Sequence, residues 1–115
     1  MLHSGRYVIP KYLMRASYTA EGLKGLQKDK ASGRKAAVTQ ALEGLGGKLE
    51  SLYFTFGEDD AVVIFDLPDN IAAARYAIAL GTCGLIHTKT TALLTVEEVD
   101  QALGAPDIGF RAPGR

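Results

Sequence analysis

The sequence contains one cysteine, no tryptophan, no net charge and no long apolar run. A single cysteine, Cys83, excludes an internal disulfide framework and suits a reducing compartment, so we expect a cytoplasmic protein. A net charge of zero argues against partners held by bulk electrostatics, such as nucleic acid or an anionic membrane surface. No apolar segment approaches the roughly 20 residues that span a bilayer, and the N-terminus lacks a signal-like apolar core.

The chain has instead the composition of one globular domain. Of its 115 residues, 47% are hydrophobic and 23% are charged, and single domains commonly have ~100–150 residues. We expect an N-terminal extension over residues 1–9 and a folded domain over residues 10–103. The glycines and prolines of residues 104–115 preclude regular structure, so this segment is expected to be a tail.

Hydrophobic periodicity and capping residues predict four strands and three helices. The predicted strands are residues 11–18, 48–56, 61–67 and 85–94. The first predicted helix starts after the N-cap Thr19 and restarts at Ser32-Gly33. The second covers residues 71–80, and the third starts at a Thr95/Glu98 capping box. The order β-α-β-β-α-β is the ferredoxin-like unit, an α+β fold. Right-handed crossovers then give a four-stranded antiparallel sheet of order 4-1-3-2 with the first two helices on one face.

The third strand is apolar on both faces. Val62 and Ile64 point to one face, whereas Val63 and Phe65 point to the other. Two helices of one chain cover only one face, so something else must cover the second. The economical candidate is another copy of the chain, and we therefore expect a homodimer or higher homo-oligomer whose sheets close into an α/β barrel.

Three segments, KYLMRASYTAEGLKGL, LGGKLESLYFTFGEDDAVVIFDLPDN and TTALLTVEEVDQAL, together resemble the GYD-domain family of small bacterial proteins. The resemblance covers about residues 10–103 and implies a ferredoxin-like fold of the dimeric α/β-barrel type, with a function that is largely uncharacterised. The family signature, Gly-Tyr-Asp, lies between the second and third strands. Here the region reads Gly57-Glu58-Asp59-Asp60, with Asp59 at the position of the tyrosine, so a role that needs the phenol is not expected.

The acids of this region have two interpretations. Glu58, Asp59 and Asp60 are carboxylates that a hard cation prefers, but consecutive residues on a tight turn rarely converge on one point. We favour a hairpin connection and expect no metal site. Asp66 interrupts the buried strand and is a weak candidate for a general base. We favour a structural ion pair between Asp66 and Arg15 on the adjacent strand.

A second group of polar residues points to one face of two neighbouring strands. The group comprises Arg15 and Ser17 on the first strand and His87, Lys89 and Thr91 on the fourth. If the two faces coincide, these residues and Tyr53 could line a ligand pocket in the barrel, with His87 as a weak acid/base candidate. The alternative, which we favour, is an edge strand whose polar residues discourage further strand pairing.

Two other features have structural explanations. Free cysteine is most often a small buried hydrophobe, and we expect this of Cys83 rather than a redox-sensing thiol. The basic run from Lys24 to Lys35 could hold a phosphate at Ser32-Gly33 beside Arg34, but a solvated connection between two helical pieces is the favoured interpretation.

Two functions remain open at this point. The first is an oligomeric small-ligand-binding or regulatory and assembly module, which needs no cofactor. The second is a cofactor-independent enzyme, similar to an oxygenase or isomerase, acting on a small apolar or aromatic molecule inside the barrel. The side chains of Tyr12, Met14, Phe54 and Phe56 would decide between them, because they could plug the barrel.

Overall fold

The computed structural model of the protein describes residues 9–115. Most of the expected N-terminal extension, residues 1–8, therefore lies outside the described residues. The strands are β1 (Lys11–Tyr18), β2 (Lys48–Phe54), β3 (Ala61–Asp66) and β4 (Ile86–Leu93). The helices are α1 (Ala20–Gly44), α2 (Asn70–Thr82) and α3 (Val96–Leu103). No helix within residues 9–115 is both long enough and apolar enough to cross a membrane.

The four strands form one sheet in the order β2-β3-β1-β4, with every neighbouring pair antiparallel. This confirms the predicted order and the ferredoxin-like arrangement. The hydrogen-bonded register places Ala16 of β1 opposite Ala61 of β3, and Lys11 opposite Asp66. Because side chains alternate along a strand, the register fixes which residues share a face of the sheet.

Helix α1 begins as predicted, with the Thr19 side chain accepting a hydrogen bond from the Gly22 N–H at 3.1 Å. The predicted interruption is also present, but it lies at Lys30 (φ 65°, ψ 167°) and not at Ser32-Gly33. A side chain added at Gly33 would lie 3.2 Å from the Asp29 Cβ. The glycine therefore serves the close approach across the break, and it does not mark the break itself.

The two long helices cover opposite edges of one sheet face, which we call the helix face. Helix α1 packs mainly on β2, and α2 packs on β4. The central strands β1 and β3 thus supply the floor of the core between them. At one end the core is filled by aromatic rings: Phe65 stacks on Tyr12 at a centroid distance of 5.8 Å and meets the edge of Tyr76 at 5.7 Å.

Helix α3 has the predicted capping box, in which the Glu98 N–H donates to the Thr95 hydroxyl and the Thr95 N–H donates to the Glu98 carboxylate. Its apolar residues Val96 and Leu103 are nevertheless exposed. The radius of gyration is 17.6 Å, compared with roughly 13 Å for a compact domain of this length. No residue of α3 is buried, so this helix lies outside the core of the domain.

Candidate functional site

The predicted polar residues do share one face of the sheet, the face opposite the helices, which we call the open face. Arg15 pairs with Lys89 across β1 and β4, Ser17 pairs with His87, and Thr91 lies opposite Leu13. The two strands therefore present these residues on the same face, as the predicted pocket requires. Whether they bind a ligand stays a prediction.

The acidic turn folds onto this group. The Asp59 carboxylate, 15% exposed, lies 3.7 Å from the Arg15 Nε and 3.6 Å from the Lys89 Nζ. The Ser17 hydroxyl donates to the Glu58 carbonyl at 3.2 Å. The two cations thus already have a counter-ion from their own chain, in a partly solvated setting where such pairs contribute about 0–1 kcal/mol.

The neighbouring acid, Asp60, ties the turn to β1 through the backbone. The Tyr18 N–H donates to the Asp60 carboxylate at 2.8 Å, and the Asp60 N–H donates to the Ala16 carbonyl at 2.8 Å. The interpretation of residues 57–60 as the connection between β2 and β3 is confirmed.

The expected ion pair between Arg15 and Asp66 is wrong. Arg15 lies opposite Val62, and Asp66 lies opposite Lys11, whose ammonium donates to the Asp66 carboxylate at 2.7 Å. Lys11 also contacts Glu50. The hydrogen bond to Asp66, followed by that to Glu50, raises the pKa of Lys11, while burial opposes the rise.

The two weak catalytic candidates are far apart on the open face. Asp66 is in the row of Lys11, and His87 is in the row of Ser17, six residues further along β1. At ~3.3 Å per residue, the separation along the strands is about 20 Å. Asp66 and His87 therefore cannot act on the same bound molecule.

Tyr53 and Cys83 are both exposed, and neither lies in a buried site. Tyr53 is 69% exposed and lies opposite Val62, so β3 separates it from Arg15. Cys83 is exposed, and the expectation of a buried cysteine is wrong. Cys83 follows the last residue of α2 as its C-cap, just before the left-handed Gly84, and this position directs it away from the core.

The four bulky residues that could have plugged a barrel do not lie on the open face. Tyr12 and Met14 are buried on the helix face, and Phe54 shares that face because it pairs with Ala61. Phe56 lies beyond the end of β2 and is exposed. The expectation that these side chains could fill the barrel is wrong, since alternation along β1 and β2 turns three of them toward the helices.

A cavity lies on the helix face instead, between the sheet and the two long helices. Its floor is formed around the paired residues Ala16 and Ala61, with Met14 and Val63 next to them. The small alanines leave this space open. At the other end of the core, the corresponding space is filled by aromatic rings. The free space for water-sized bodies is about 30 Å³, whereas one water needs roughly 10–15 Å³.

Three polar residues line the same cavity: Arg34 from α1, Tyr76 from α2 and Tyr18 from β1. The Arg34 Nε is buried and has no hydrogen-bond partner among residues 9–115. The nearest acid, Asp29, lies 4.0 Å from the Arg34 Nη1, which is too far for a hydrogen bond. The Arg34 Nε is therefore a buried donor without an acceptor in the lining of a mainly apolar cavity, while the charge of the guanidinium has Asp29 at 4.0 Å.

The charges around the cavity act on Tyr76. Burial raises the pKa of the Tyr76 phenol, the positive charge of Arg34 lowers it, and Tyr18 raises it. Burial is the largest cause, so the phenol remains protonated at neutral pH and is available as a hydrogen-bond donor.

Reasoning from the sequence alone did not identify this site. Arg34 was one cation in a basic run, and Tyr76 stood within an alanine-rich helix. The gap follows from the register that pairs Ala16 with Ala61, and hydrophobic periodicity does not fix a register.

Comparison with known proteins identifies the family. The family model described as GYD domain matches residues 12–103, which is most of the chain. The chain belongs to the GYD family. In this GYD domain Asp59 is the carboxylate that meets Arg15 and Lys89. No curated protein and no solved structure matches the chain.

The described GYD domain also shows no cluster suited to a metal ion. Within residues 9–115, no three His, Cys, Asp or Glu side chains lie together in such an arrangement. The polar groups that the described residues do assemble include the Asp59 cluster and the Lys11–Asp66–Glu50 group on the open face. Arg34 with two tyrosines forms another on the helix face.

Proposed function

We propose that this GYD domain is a homodimeric module that binds a small molecule in the cavity on its helix face. The observation that carries the proposal is the buried, unpartnered Arg34 Nε beside a cavity floored by Ala16 and Ala61. Leaving a charged donor buried without an acceptor costs free energy, about 1–3 kcal/mol or more. A ligand that supplies the acceptor recovers this cost, which supports binding as the purpose of the arrangement.

The apolar part of the site supports the same proposal. Val38, Leu52, Leu80 and Ile86 from four different elements surround the free space. Ligand sites are typically apolar concavities with a few polar groups that fix orientation. The cofactor-independent enzyme is the alternative, and it would need a proton acceptor beside the bound molecule. Neither Asp66 nor His87 lines this cavity.

The homodimer is supported by two apolar surfaces of the same chain. On the open face Leu13, Val62 and Ile64 form a half-buried centre flanked by charged residues. Helix α3 has an exposed apolar stripe that includes Val96 and Leu103. An eight-residue helix is marginal in water without packing partners. A second copy would cover the open face, and its sheet or helices would offer α3 a surface to pack on.

Binding is tested by NMR on the full chain with a panel of small neutral and charged molecules. We expect at least one molecule to shift the backbone amides of Ala16, Ala61 and their neighbours in α1 and α2. Ala61→Leu, which fills the floor, should abolish these shifts. Ala74→Leu, at an exposed position of α2, should preserve them. A panel that causes no shifts around the cavity, or equal shifts in Ala61→Leu, would contradict the proposal.

A further inference from the structure

The polar groups that line the helix-face cavity are all hydrogen-bond donors. Arg34 has five N–H donors and no acceptor, and the phenols of Tyr18 and Tyr76 each have an O–H to donate. Neither phenol oxygen has a hydrogen-bond partner within the described part of the chain. The remaining lining residues are apolar. Asp29 lies 4.0 Å from the Arg34 Nη1 but is not part of the lining, so no acidic side chain faces these donors inside the cavity.

A lining with three donor side chains and no acidic residue favours a ligand whose hydrogen-bond acceptor carries a negative charge. A guanidinium matches a carboxylate in geometry, because two parallel N–H groups meet its two oxygens. A partly desolvated Arg34, with a side chain 25% exposed, gains more from such a contact than a fully hydrated arginine would. A neutral amide of the same size would supply one acceptor oxygen and no negative charge, so it would meet only one guanidinium N–H.

The size of the free space limits the rest of the molecule. About 30 Å³ is available to water-sized bodies over Ala16 and Ala61. Since one water needs roughly 10–15 Å³, the space admits about two or three non-hydrogen atoms. The floor and walls near the alanines are apolar, including Met14 and Val63, so these atoms are expected to be carbon.

We propose that a short-chain carboxylate binds at this cavity, with an alkyl group of two or three carbons in the free space over Ala16 and Ala61 and its carboxylate outside that space, beside the partly exposed Arg34 side chain. This inference rests on the proposed binding function and names its ligand class. The Tyr76 hydroxyl, held in its protonated form by burial, donates a further hydrogen bond to a carboxylate oxygen. Inorganic anions meet Arg34 equally well but leave the apolar space empty, so they bind less tightly.

The test is an NMR titration of the full chain with sodium propionate and with propionamide, at matched sodium chloride. The two molecules have the same shape and differ in charge. We expect propionate to shift the amides around Ala16 and Ala61, with an affinity at least tenfold higher than that of propionamide. Chloride or inorganic phosphate alone should not reproduce these shifts.

Three variants assign the effect to Arg34. Arg34→Met keeps the length of the side chain and removes its charge, so propionate should bind at least tenfold more weakly. Arg34→Lys restores the charge without the two-pronged geometry and should recover part of the affinity. Lys35→Met, at an exposed neighbour, should bind propionate as the wild type does. Thermal midpoints of all three show whether the fold is retained.

The outcomes separate this inference from the proposed function. Equal binding of propionate and propionamide, lost in Ala61→Leu, would overturn the ligand class and leave the binding function intact. The same follows if another molecule of the panel binds in the cavity and propionate does not. Propionate shifts confined to Arg15 and Lys89 would also overturn the inference. A cavity that binds no molecule of the panel would overturn both.

Discussion

Ala16 and Ala61 face each other across β1 and β3, and the cavity of the domain lies directly above them. Both lie on the two inner strands of the sheet, and α1 and α2 pack on its opposite edges. Larger residues at the other end, such as Phe65 and Tyr12, fill the same layer completely. The hollow is thus a consequence of two small residues in register.

The first prediction concerns this hollow. Ala61→Val adds two methyl groups to free space, and the free energy of unfolding should rise by up to about 1.6 kcal/mol, since each buried carbon of this kind contributes roughly 0.8 kcal/mol. Ala73→Val is the matched control, because Ala73 is buried in α2 but lies outside the cavity lining. Overpacking there should lower the free energy of unfolding by about 1–3 kcal/mol. Urea unfolding measures both, and equal destabilisation would show that no free space exists over Ala61.

The second prediction uses two glycines of α1. A side chain at Gly22 would lie 2.2 Å from the Leu85 carbonyl oxygen, whereas nothing lies within 4 Å of one at Gly25. Gly25→Ala should therefore raise the free energy of unfolding by about 0.5–1 kcal/mol through helix propensity. Gly22→Ala should lower it substantially, because the helix would have to move away from the start of β4. Thermal unfolding of the two variants checks this difference, and an equal gain in both would refute the close contact.

The third prediction concerns alkaline pH. The pKa of Tyr76 is raised above its ordinary value of 10.0 in the folded protein. The unfolded state therefore loses this proton first, and the corresponding stability is present below pH 10 and lost as the pH rises through the raised pKa. Tyr76→Phe should show a smaller loss of stability between neutral pH and pH values above 10. Urea midpoints across this range measure it, with Tyr53→Phe as the control on an exposed tyrosine. An unchanged slope in Tyr76→Phe would contradict the assignment.

The fourth prediction concerns the dimer. Ile64→Lys places a charge in the centre of the open face and should convert the protein to a monomer at micromolar concentration, because a buried unpaired charge opposes association. Ile78→Lys introduces the same residue at an exposed position of α2 and should leave the dimer intact. Light scattering after size exclusion gives the masses. A wild-type chain that is monomeric under the same conditions would refute the dimer.

The strands and their faces followed from local patterns. The alternation in residues 61–66 placed Val63 and Phe65 on one face and Val62 and Ile64 on the other, as the structure shows. Thr19 and the Thr95/Glu98 box fixed two helix starts through bonds within one turn. These features depend on neighbours a few residues away, so the sequence contains what is needed to predict them.

The cavity depends on contacts between distant residues. Arg34 lines the helix-face cavity from the part of α1 that follows the break at Lys30, a residue with no sequence signal for positive φ. Asp59 reaches Arg15 through the shape of the turn and the register of β1 with β3. The same register makes Lys11 the ion-pair partner of Asp66. The sequence predicts only that β1 and β3 are neighbours, and from this alone Arg15 was the expected partner. A one-residue shift in register would change all of these partners, and periodicity does not fix it.

The most direct test of the account is the position of a bound small molecule in a crystal structure of the full chain. We predict electron density between α1 and α2, over Ala16 and Ala61, with an acceptor atom within hydrogen-bond distance of the Arg34 Nε. Density on the open face against Arg15 and Lys89, with the helix-face cavity empty, would contradict the account.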